Sequence, residues 1–298
     1  MTRGSSYGSP SAFRRALTDR LRARAEEGRW TLAQLQRQMA YDRLLERLYL
    51  VDEGWIVKGA TALLAREIGV RGTIDVDLYR GSAPDAAQAD LREAAGRDIG
   101  DWFRFEIGPP ELIGGAGGGV RLPVTALVGA SPWASFHVDL VGAELRMTGQ
   151  PDEVPALARV AMPDVEQHGY RAYPLVDHIA DKFCAILERH GPMELPSTRY
   201  KDLVDLVAIV VSTSVEAQAQ ATALRSEATR RGLRMPDRFA VPDRALWSPG
   251  YYAEAARSLL PVARTLDEAV ALVRPFLDPL LDGTANGTWS PRDGRWMQ

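Results

Sequence analysis

Apolar and polar positions alternate with a helical period over residues 11–50, and Glu27-Gly28 divides this stretch in two. The pattern predicts two amphipathic helices, the second with apolar side chains such as Leu35, Met39 and Leu45 on one face. The apolar runs that follow are shorter. They predict a strand at 55–57, a helix at 59–68, a strand at 73–79, a helix at 83–97 and strands at 102–107, 120–128 and 135–141.

Beyond Pro174 the hydrophobic period is helical. It predicts helices at 175–189, 199–212, 215–231, 251–259 and 266–281, followed by a polar tail at 282–298. The glycine-rich stretch from Gly114 to Gly119 opens no helix, so we interpret it as a hairpin tip rather than a nucleotide-binding loop. The sequence therefore predicts an α+β fold, with a mixed β-sheet flanked by helices in residues 1–170 and a helical domain in residues 171–298.

Composition narrows the class of protein without identifying it. With 298 residues, 46% of them hydrophobic, the chain can build one large or two moderate domains without disulfide support. The single cysteine, Cys184, fits a reducing compartment, and no apolar run reaches the roughly 20 residues of a membrane span. We therefore expect a cytoplasmic protein that does not enter a membrane. A net charge of −3 argues against a uniformly basic nucleic-acid surface, although it allows local basic patches.

Three aspartates on predicted strands are the first candidates for chemistry. Asp75 and Asp77 stand two residues apart and share one strand face, whereas their apolar neighbours face the other way. Asp139 occupies the same kind of position in the strand at 135–141. If the two strands are neighbours, three carboxylates converge on one point, and their oxygen atoms suit Mg²⁺. The alternative interpretation is a strand whose outer, solvated face is charged.

A glycine upstream of these aspartates stands where a phosphate could bind. Gly59 lies between a predicted strand and a predicted helix, where it would let the free N–H groups of the first helical turn approach an anion. Lys58 adds positive charge at this point. Of the 36 basic residues only Lys58, Lys182 and Lys201 are lysines. In a chain that uses arginine almost everywhere else, a lysine indicates a place that needs a compact charge.

Two predicted C-terminal helices carry a charged residue on their apolar side. Lys182 lies between Ile179 and Ile186 on the buried side of one helix, and Asp202 begins the apolar stripe of the next. A buried ammonium group needs a counter-charge, because burial of an unpaired charge is costly. A triphosphate could supply that charge, or Lys182 and Asp202 could form one buried salt bridge. The sequence leaves both interpretations open.

Four motifs follow one another between residues 58 and 206. They comprise Lys58-Gly59, Leu63 and Arg66; Thr73, Asp75 and Asp77; Asp181-Lys182-Phe183 and Ala185; and Arg199 with Lys201-Asp202-Leu203-Val204-Asp205-Leu206. As a set they resemble the AbiEii-type (MenT-like) nucleotidyltransferase toxins of bacterial toxin–antitoxin systems, within the polymerase-beta-type nucleotidyltransferase superfamily. The sequence departs from the family at Ala60, where members usually carry glycine or serine. Ala60 has no hydroxyl for a phosphate, and Thr61 is the candidate to compensate.

The resemblance implies an Mg²⁺-dependent enzyme that transfers a nucleotide from an NTP to an acceptor. The expected acceptor is tRNA, and the expected protein partner is a cognate antitoxin. The residues that the resemblance implicates in catalysis are Asp75, Asp77, Asp139, Lys182 and Asp202, the first three of them as metal ligands. Those implicated in binding the triphosphate are Lys58, Gly59, Ala60, Thr61 and Lys182. Transfer to a small molecule or a protein, such as an antibiotic or the antitoxin, remains an alternative, as does a non-catalytic relic.

Other polar residues beside these motifs each have two open interpretations. Thr73 is either a modification site or an ordinary strand former. His137 shares the face of Asp139 and either supports the metal ligands or has no chemical role. The arginines of the first helices and of the segment 230–234 either grip RNA phosphates or form a solvated helix face.

Overall fold

The structure is a computed structural model that describes residues 6–113, 119–141, 146–163 and 165–298. It divides the chain into two compact units. The first consists of Met1–Arg66, Thr73–Leu145 and Glu153–Ala172, and the second of Glu67–Gly72, Arg146–Asp152 and Tyr173–Gln298. The predicted glycine-rich hairpin tip lies outside the described residues except for Gly119, which begins a strand.

Local sequence fixes where most helices of the first unit begin. These helices are α1 (Pro10–Glu27), α2 (Leu32–Tyr49), α3 (Gly59–Ala65) and α4 (Pro84–Ala95). Ser9 accepts a hydrogen bond from the Ala12 amide and so caps α1, and Thr31 and Gln34 form a reciprocal capping box at α2. A proline occupies the first position of α1 and of α4, where its fixed φ suits helix entry. The predicted pair of N-terminal helices is confirmed.

The strands of the first unit form one mixed sheet. They are β1 (Ile56–Val57), β2 (Asp75–Tyr79), β3 (Phe103–Ile107), β4 (Glu111–Ile113), β5 (Gly119–Val128), β6 (Ser131–Val141), β7 (Asp152–Val154) and β8 (Tyr170–Ala172). Their order is β3-β5-β6-β2-β1-β8-β7, with β4 also paired to β5. The pairs β2–β6 and β1–β8 are parallel, and β1–β2, β3–β5, β4–β5 and β5–β6 are antiparallel. The predicted mixed sheet is therefore confirmed.

Helix α2 is buried on its polar side as well as on its apolar stripe. Arg43 and Arg47 both donate to the buried carboxylate of Asp101, at 2.5 and 2.7 Å. Asp42 accepts the amides of Leu157 and Ala158 at 2.8 and 2.7 Å. Since each buried charge has its hydrogen bonds, the helix can lie inside the unit although its sequence reads as amphipathic.

The second unit is mainly helical. It contains α5 (Leu175–Leu187), α6 (Tyr200–Val210), α7 (Ala217–Arg231), α8 (Arg244–Arg257) and α9 (Leu266–Asp282), with the short hairpins β9 (Arg189–His190) with β10 (Leu195–Pro196) and β11 (Thr288–Ser290) with β12 (Arg295–Met297). Thr265 and Glu268 form a capping box at α9, which ends at Gly283 with φ of 80°. The predicted α+β class, with a mixed sheet followed by a helical half, is confirmed.

Two details of the second unit differ from the sequence prediction. Helix α8 begins at Arg244 rather than at residue 251, because Asp243 caps it by accepting the Leu246 amide at 3.0 Å. The predicted polar tail forms the hairpin β11–β12 instead. Trp289 is buried there, and its indole donates to the carbonyl of Val210 at 2.8 Å. The tail is ordered because its tryptophans pack on the helical core.

In the part of the chain that the structure describes, no helix is both long and apolar enough to cross a membrane.

Candidate active site

Gly59 is the first residue of α3, two residues after β1 ends, and it lies against the carboxylate of Asp77. Its φ is 57°, a left-handed conformation that favours glycine. A Cβ atom placed on Gly59 would lie 1.8 Å from Asp77 Oδ2, so any side chain here would displace that carboxylate. The Lys58 amide also donates to the Asp77 carbonyl at 2.8 Å. The glycine predicted to open a phosphate-binding turn therefore also leaves the space that Asp77 occupies.

The first turn of α3 presents backbone amides rather than side-chain hydroxyls. Its first intrahelical bond runs from the Ala62 amide to the Lys58 carbonyl at 3.1 Å, so the amides of Gly59, Ala60 and Thr61 come before that bond. The Thr61 side chain is buried, and its hydroxyl donates to the Asp75 carbonyl at 3.2 Å. In this structure the Thr61 hydroxyl thus supports strand β2.

Strand register brings the three predicted aspartates to neighbouring positions. In the parallel pair β2–β6, Asp77 stands opposite Asp139 and Asp75 stands opposite His137. Because Asp75 and Asp77 share a strand face, both lie beside Asp139 on that face of the sheet. We call Asp75, Asp77 and Asp139 the carboxylate cluster. The two aspartate strands are thus neighbours, which is the condition under which the sequence predicts that the three carboxylates converge.

Arg121, which the sequence analysis did not single out, lies within the carboxylate cluster. It stands opposite Asp139 in the antiparallel pair β5–β6. Its Nε and Nη2 atoms donate to the two Asp139 carboxylate oxygens at 2.8 and 2.7 Å, and Nη2 lies 3.5 Å from Asp75 Oδ1. The hydrogen bonds to Asp139 raise the pKa of the Arg121 guanidinium above its ordinary value, so it remains charged.

His137 approaches the cluster from the side of Asp75. Its Nδ1 atom lies 3.3 Å from Asp75 Oδ1, and both atoms are buried. Among the residues that the structure describes, neither atom has a hydrogen-bond partner. A buried carboxylate oxygen without a donor is unusual in a native protein, and a bound cation is one way to satisfy it.

Thr73 serves the backbone of the strand that carries the aspartates. Its hydroxyl donates to the Asp75 carbonyl at 3.0 Å and accepts the Asp75 amide at 3.1 Å. The Tyr41 hydroxyl donates to the Thr73 carbonyl at 2.9 Å. These contacts give Thr73 a structural role at the entry to β2.

The carboxylate cluster suits a divalent cation in part. Its donors are hard oxygen atoms, and the buried Asp75 Oδ1 has no hydrogen bond within the described ranges. As the side chains stand, no three His, Cys, Asp or Glu residues of the described chain are arranged to hold a metal ion. At Asp139 the guanidinium of Arg121 engages both carboxylate oxygens. Asp75 thus presents a buried oxygen of the kind that a cation could satisfy, whereas both oxygens of Asp139 are engaged by Arg121.

Lys182 of α5 and Asp202 of α6 meet inside the second unit. Lys182 Nζ donates to Asp202 Oδ1 at 2.9 Å and to Asp205 Oδ2 at 2.7 Å. Arg71 donates to both oxygens of Asp205, at 2.9 and 2.8 Å, and Arg199 Nε lies 3.0 Å from Asp202 Oδ2. We call these five residues the lysine network. The salt bridge that the sequence left open between Lys182 and Asp202 is present, and it extends to three further residues.

The lysine network keeps its buried members ionised. Burial alone would lower the pKa of Lys182, but Asp202 and Asp205 raise it above its ordinary value. Burial would likewise raise the pKa of Asp205, but Lys182 and Arg71 hold it at about 2. At neutral pH the network therefore contains an ammonium group and carboxylates. Cys184 on the same helix is buried, which raises the pKa of its thiol to about 12 and fits a packing role.

The arginines at the end of α7 are tied to acidic side chains. Arg231 contacts Asp181, Glu188 at 2.7 Å and Glu227 at 2.6 Å, and Arg230 contacts Glu227 at 2.5 Å. Arg231 is largely buried within this set. These two arginines form an internal ion network, so their geometry fits neither a solvated face nor an open phosphate grip.

Sequence reasoning missed Arg121 and Arg71, and it included Asp205 in a motif without giving it a role. Alternation in β5 places Arg121 on the face opposite its buried neighbours, which in an isolated strand reads as solvent exposure. Asp205 stands three residues after Asp202 and hence on the same side of α6, a helical spacing that could have revealed it. Arg71 lies in a turn outside any periodic element, so no sequence signal points to it.

Comparison with known proteins places the chain in a defined group. It matches the family described as nucleotidyl transferase AbiEii toxin, type IV TA system, over residues 43–283. Among solved structures, the MenT4 nucleotidyltransferase toxin from Mycobacterium tuberculosis is similar over 90% of this chain and 89% of its own, with 19% identity and a TM-score of 0.56. JHP933 from Helicobacter pylori is similar over 83% of this chain and 92% of its own, with 13% identity and a TM-score of 0.45. None of the curated proteins matches the chain. At this identity the likeness to MenT4 shows the fold alone.

Proposed function

The chain belongs to the AbiEii family of nucleotidyl transferase toxins of type IV toxin–antitoxin systems, and we propose that it transfers NMP from an NTP to the 3′ end of tRNA, with Mg²⁺ as cofactor. Membership gives the class of reaction and implies an NTP substrate and a cognate antitoxin. The acceptor, the metal and the residue roles are our proposals. Modification of a tRNA end would block translation and arrest growth.

The carboxylate cluster is the proposed metal site. Asp75 and Asp77 would hold two Mg²⁺ ions, and Asp139 would complete the site nearest the attacking hydroxyl. When bound, such ions supply electrostatic stabilisation of the entering and leaving oxygens in an in-line displacement. In that displacement the acceptor oxygen forms a bond to the α-phosphorus while the bond to pyrophosphate breaks. His137 would help to hold Asp75 in place, since its Nδ1 lies 3.3 Å from the carboxylate.

The first turn of α3 is the proposed anchor for the triphosphate. The amides of Gly59, Ala60 and Thr61 would donate to the β- and γ-phosphates, with Lys58 adding charge beside them. Lys182 would neutralise charge on the triphosphate and on the departing pyrophosphate. Asp202 would orient Lys182, to which it is bonded at 2.9 Å.

One observation supports this proposal more than any other. Gly59 adopts φ of 57° and leaves no room for a Cβ atom beside Asp77 Oδ2. A solvated, purely structural strand has no need to place a carboxylate against a backbone that must be glycine. A site that binds a metal-bound triphosphate does, because metal ligand and phosphate anchor must lie close together.

Transfer with defined components tests the acceptor. Purified protein is incubated with Mg²⁺, total RNA and each α-³²P-labelled NTP in turn, and the products are separated by gel electrophoresis. We expect label on tRNA-sized RNA with the native protein and none with Asp77→Asn. The matched control is Asp85→Asn, which removes an exposed acidic residue of α4 and should leave labelling intact. Label confined to small molecules or to protein would overturn the tRNA assignment.

Expression in cells separates the enzyme from a non-catalytic relic. We expect growth arrest with the native chain and normal growth with Asp75→Ala, provided that both accumulate to the same level. Arrest that persists with Asp75→Ala would show that toxicity does not require the carboxylate cluster.

A further inference from the structure

We propose that Arg121 is an internal cation that occupies Asp139 when no divalent metal is bound, and that it thereby sets the affinity of the carboxylate cluster for metal. The inference rests on the proposed function only in assuming that the cluster binds a divalent cation. It assigns a role to a residue that lies outside the four sequence motifs.

Arg121 occupies the carboxylate oxygens of Asp139 that a metal ion would need as ligands. Its fork engages both Asp139 oxygens, at 2.8 and 2.7 Å, and the same Nη2 atom lies 3.5 Å from Asp75 Oδ1. A cation shared by Asp75 and Asp139 would meet a guanidinium in the same space. Like charges repel and both compete for the same lone pairs, so the metal and the fork exclude each other at Asp139.

The strand lets Arg121 leave without disturbing the fold. Val120 and Leu122, its neighbours in β5, are buried and hold the backbone. The Arg121 side chain itself is 38% exposed, so water can hydrate the guanidinium after it releases Asp139. A guanidinium stays charged in proteins, so Arg121 releases Asp139 by moving rather than by losing its charge. Only the side chain has to move.

Metal binding by variants tests the inference directly. Mn²⁺ is the probe, followed by isothermal titration and by the loss of its free EPR signal, with no nucleotide present. We expect Arg121→Gln to bind Mn²⁺ about tenfold more tightly than the native chain, the equivalent of one charge-assisted hydrogen bond. Arg121→Lys, which keeps the charge but not the fork, should fall between the two.

Two further variants show whether the gain acts through Asp139. Arg104→Gln removes the same charge from an exposed position on β3 and should leave Mn²⁺ affinity unchanged. In an Asp139→Asn background, Arg121→Gln should no longer increase affinity, because the competition is for Asp139. Thermal unfolding provides a second readout: without metal, Arg121→Gln should melt below the native chain, and Mn²⁺ should raise its Tm by the larger amount.

The possible outcomes separate this inference from the proposed function. If the native chain binds Mn²⁺ and Arg121→Gln binds it equally or more weakly, Arg121 is no competitor, although the metal site stands. An equal gain in Arg104→Gln would reduce the effect to net charge and overturn the inference as well. If neither the native chain nor Arg121→Gln binds Mn²⁺, the proposed metal site and the inference both fail.

Discussion

The carboxylate cluster of the first unit and the lysine network of the second both contain aspartates close to a basic side chain. They differ in how many of the carboxylate oxygens have a hydrogen-bond partner. In the network, Asp205 is 1% exposed and receives hydrogen bonds from both Lys182 and Arg71. In the cluster, Asp75 Oδ1 is buried without a hydrogen-bond partner in the described chain, and Arg121 is more than a third exposed. In the lysine network both oxygens of Asp205 accept hydrogen bonds, whereas in the carboxylate cluster Asp75 Oδ1 accepts none from the described residues.

Hydrogen-bond saturation distinguishes a buried ion network that stabilises the fold from a group of charges that can bind a ligand. A saturated buried network contributes to the fold only while every member is present, because removing one leaves the others buried and unpaired. An unsaturated group of like charges contributes little to the fold, since its members repel one another. Loss of a network charge should therefore lower stability clearly, whereas loss of a cluster charge should lower activity with little change in stability.

Asp77→Asn is the substitution for which we expect the largest effect on activity. We expect nucleotide transfer to fall about a thousandfold or more, because the amide removes a charge proposed to hold metal beside the reacting phosphate. The free energy of unfolding should change by less than about 1 kcal/mol, since the change also relieves repulsion within the cluster. Transfer rates and urea denaturation measure the two effects. A loss of several kcal/mol would make Asp77 a structural residue.

Gly59→Ala tests whether the position of Asp77 matters as much as its charge. The new Cβ would collide with Asp77 Oδ2, so we expect transfer to fall about a hundredfold although every charge is kept. Gly232→Ala is the matched control, because Gly232 has φ of 63° and a Cβ there meets no atom within 4 Å. Both variants should lose about 1 kcal/mol from backbone strain, and only Gly59→Ala should lose transfer. Equal activity in the two would contradict a positional role.

Unlike Asp77→Asn, Lys182→Met should lower stability together with transfer. It leaves Asp202 and Asp205 facing a neutral side chain in a buried place, so we expect the unfolding free energy to fall by about 3 kcal/mol. Urea denaturation measures the loss. Lys201→Met on the exposed side of α6 serves as the control and should change stability by less than about 0.5 kcal/mol. If Lys182→Met unfolds like the native chain, the lysine network is not a structural group.

Acid denaturation measures how much the ionised carboxylate of Asp205 in the lysine network contributes to stability. The folded-state pKa of Asp205 is about 2, below its ordinary value of 3.8. Its contribution, about 2 kcal/mol, is therefore present above pH 4 and is lost as the pH falls through 2. We expect Asp205→Asn to be less stable at pH 7 and to lose less stability than the native chain between pH 4 and pH 2. Parallel acid-unfolding curves for the two proteins would contradict this assignment.

The smallest expected effect concerns the phosphate anchor. Ala60→Ser introduces the hydroxyl of serine, one of the two residues expected there from the family resemblance, and it should lower KM for the NTP by about threefold, the equivalent of one modest hydrogen bond. Ala62→Ser, two residues further along α3, is the comparison variant and should not improve KM. An unchanged KM in Ala60→Ser would show that the backbone amides suffice.

Sequence reasoning succeeded where periodicity and local spacing carry the information. The DxD alternation placed Asp75 and Asp77 on one face, and the apolar stripes placed Lys182 and Asp202 on the inner sides of their helices. Both statements follow from the period of a strand or a helix. The α+β class followed in the same way from the order of the periodic segments.

Residues whose partners lie far along the chain could not be predicted. Arg121 pairs with Asp139 through strand register, which depends on how β5 and β6 align and not on either strand alone. Trp289 reads as part of a polar tail until the Val210 carbonyl and the ring of Phe276 appear beside it. The start of α8 was missed for a local reason, because Pro249 lies inside the helix and a proline there argues against a helical interpretation.

The parallel pairing of β2 with β6 also limits how this sequence can change. Asp77 faces Asp139 and Asp75 faces His137 only while the two strands keep their present lengths. Deleting or inserting a single residue in either strand would turn its aspartates toward the apolar side of the sheet. Substitutions at the buried positions can be compensated by repacking, but a change of length within β2 or β6 cannot. Natural relatives that share the chemistry should therefore differ in the length of the loops around these strands and keep the spacing within them.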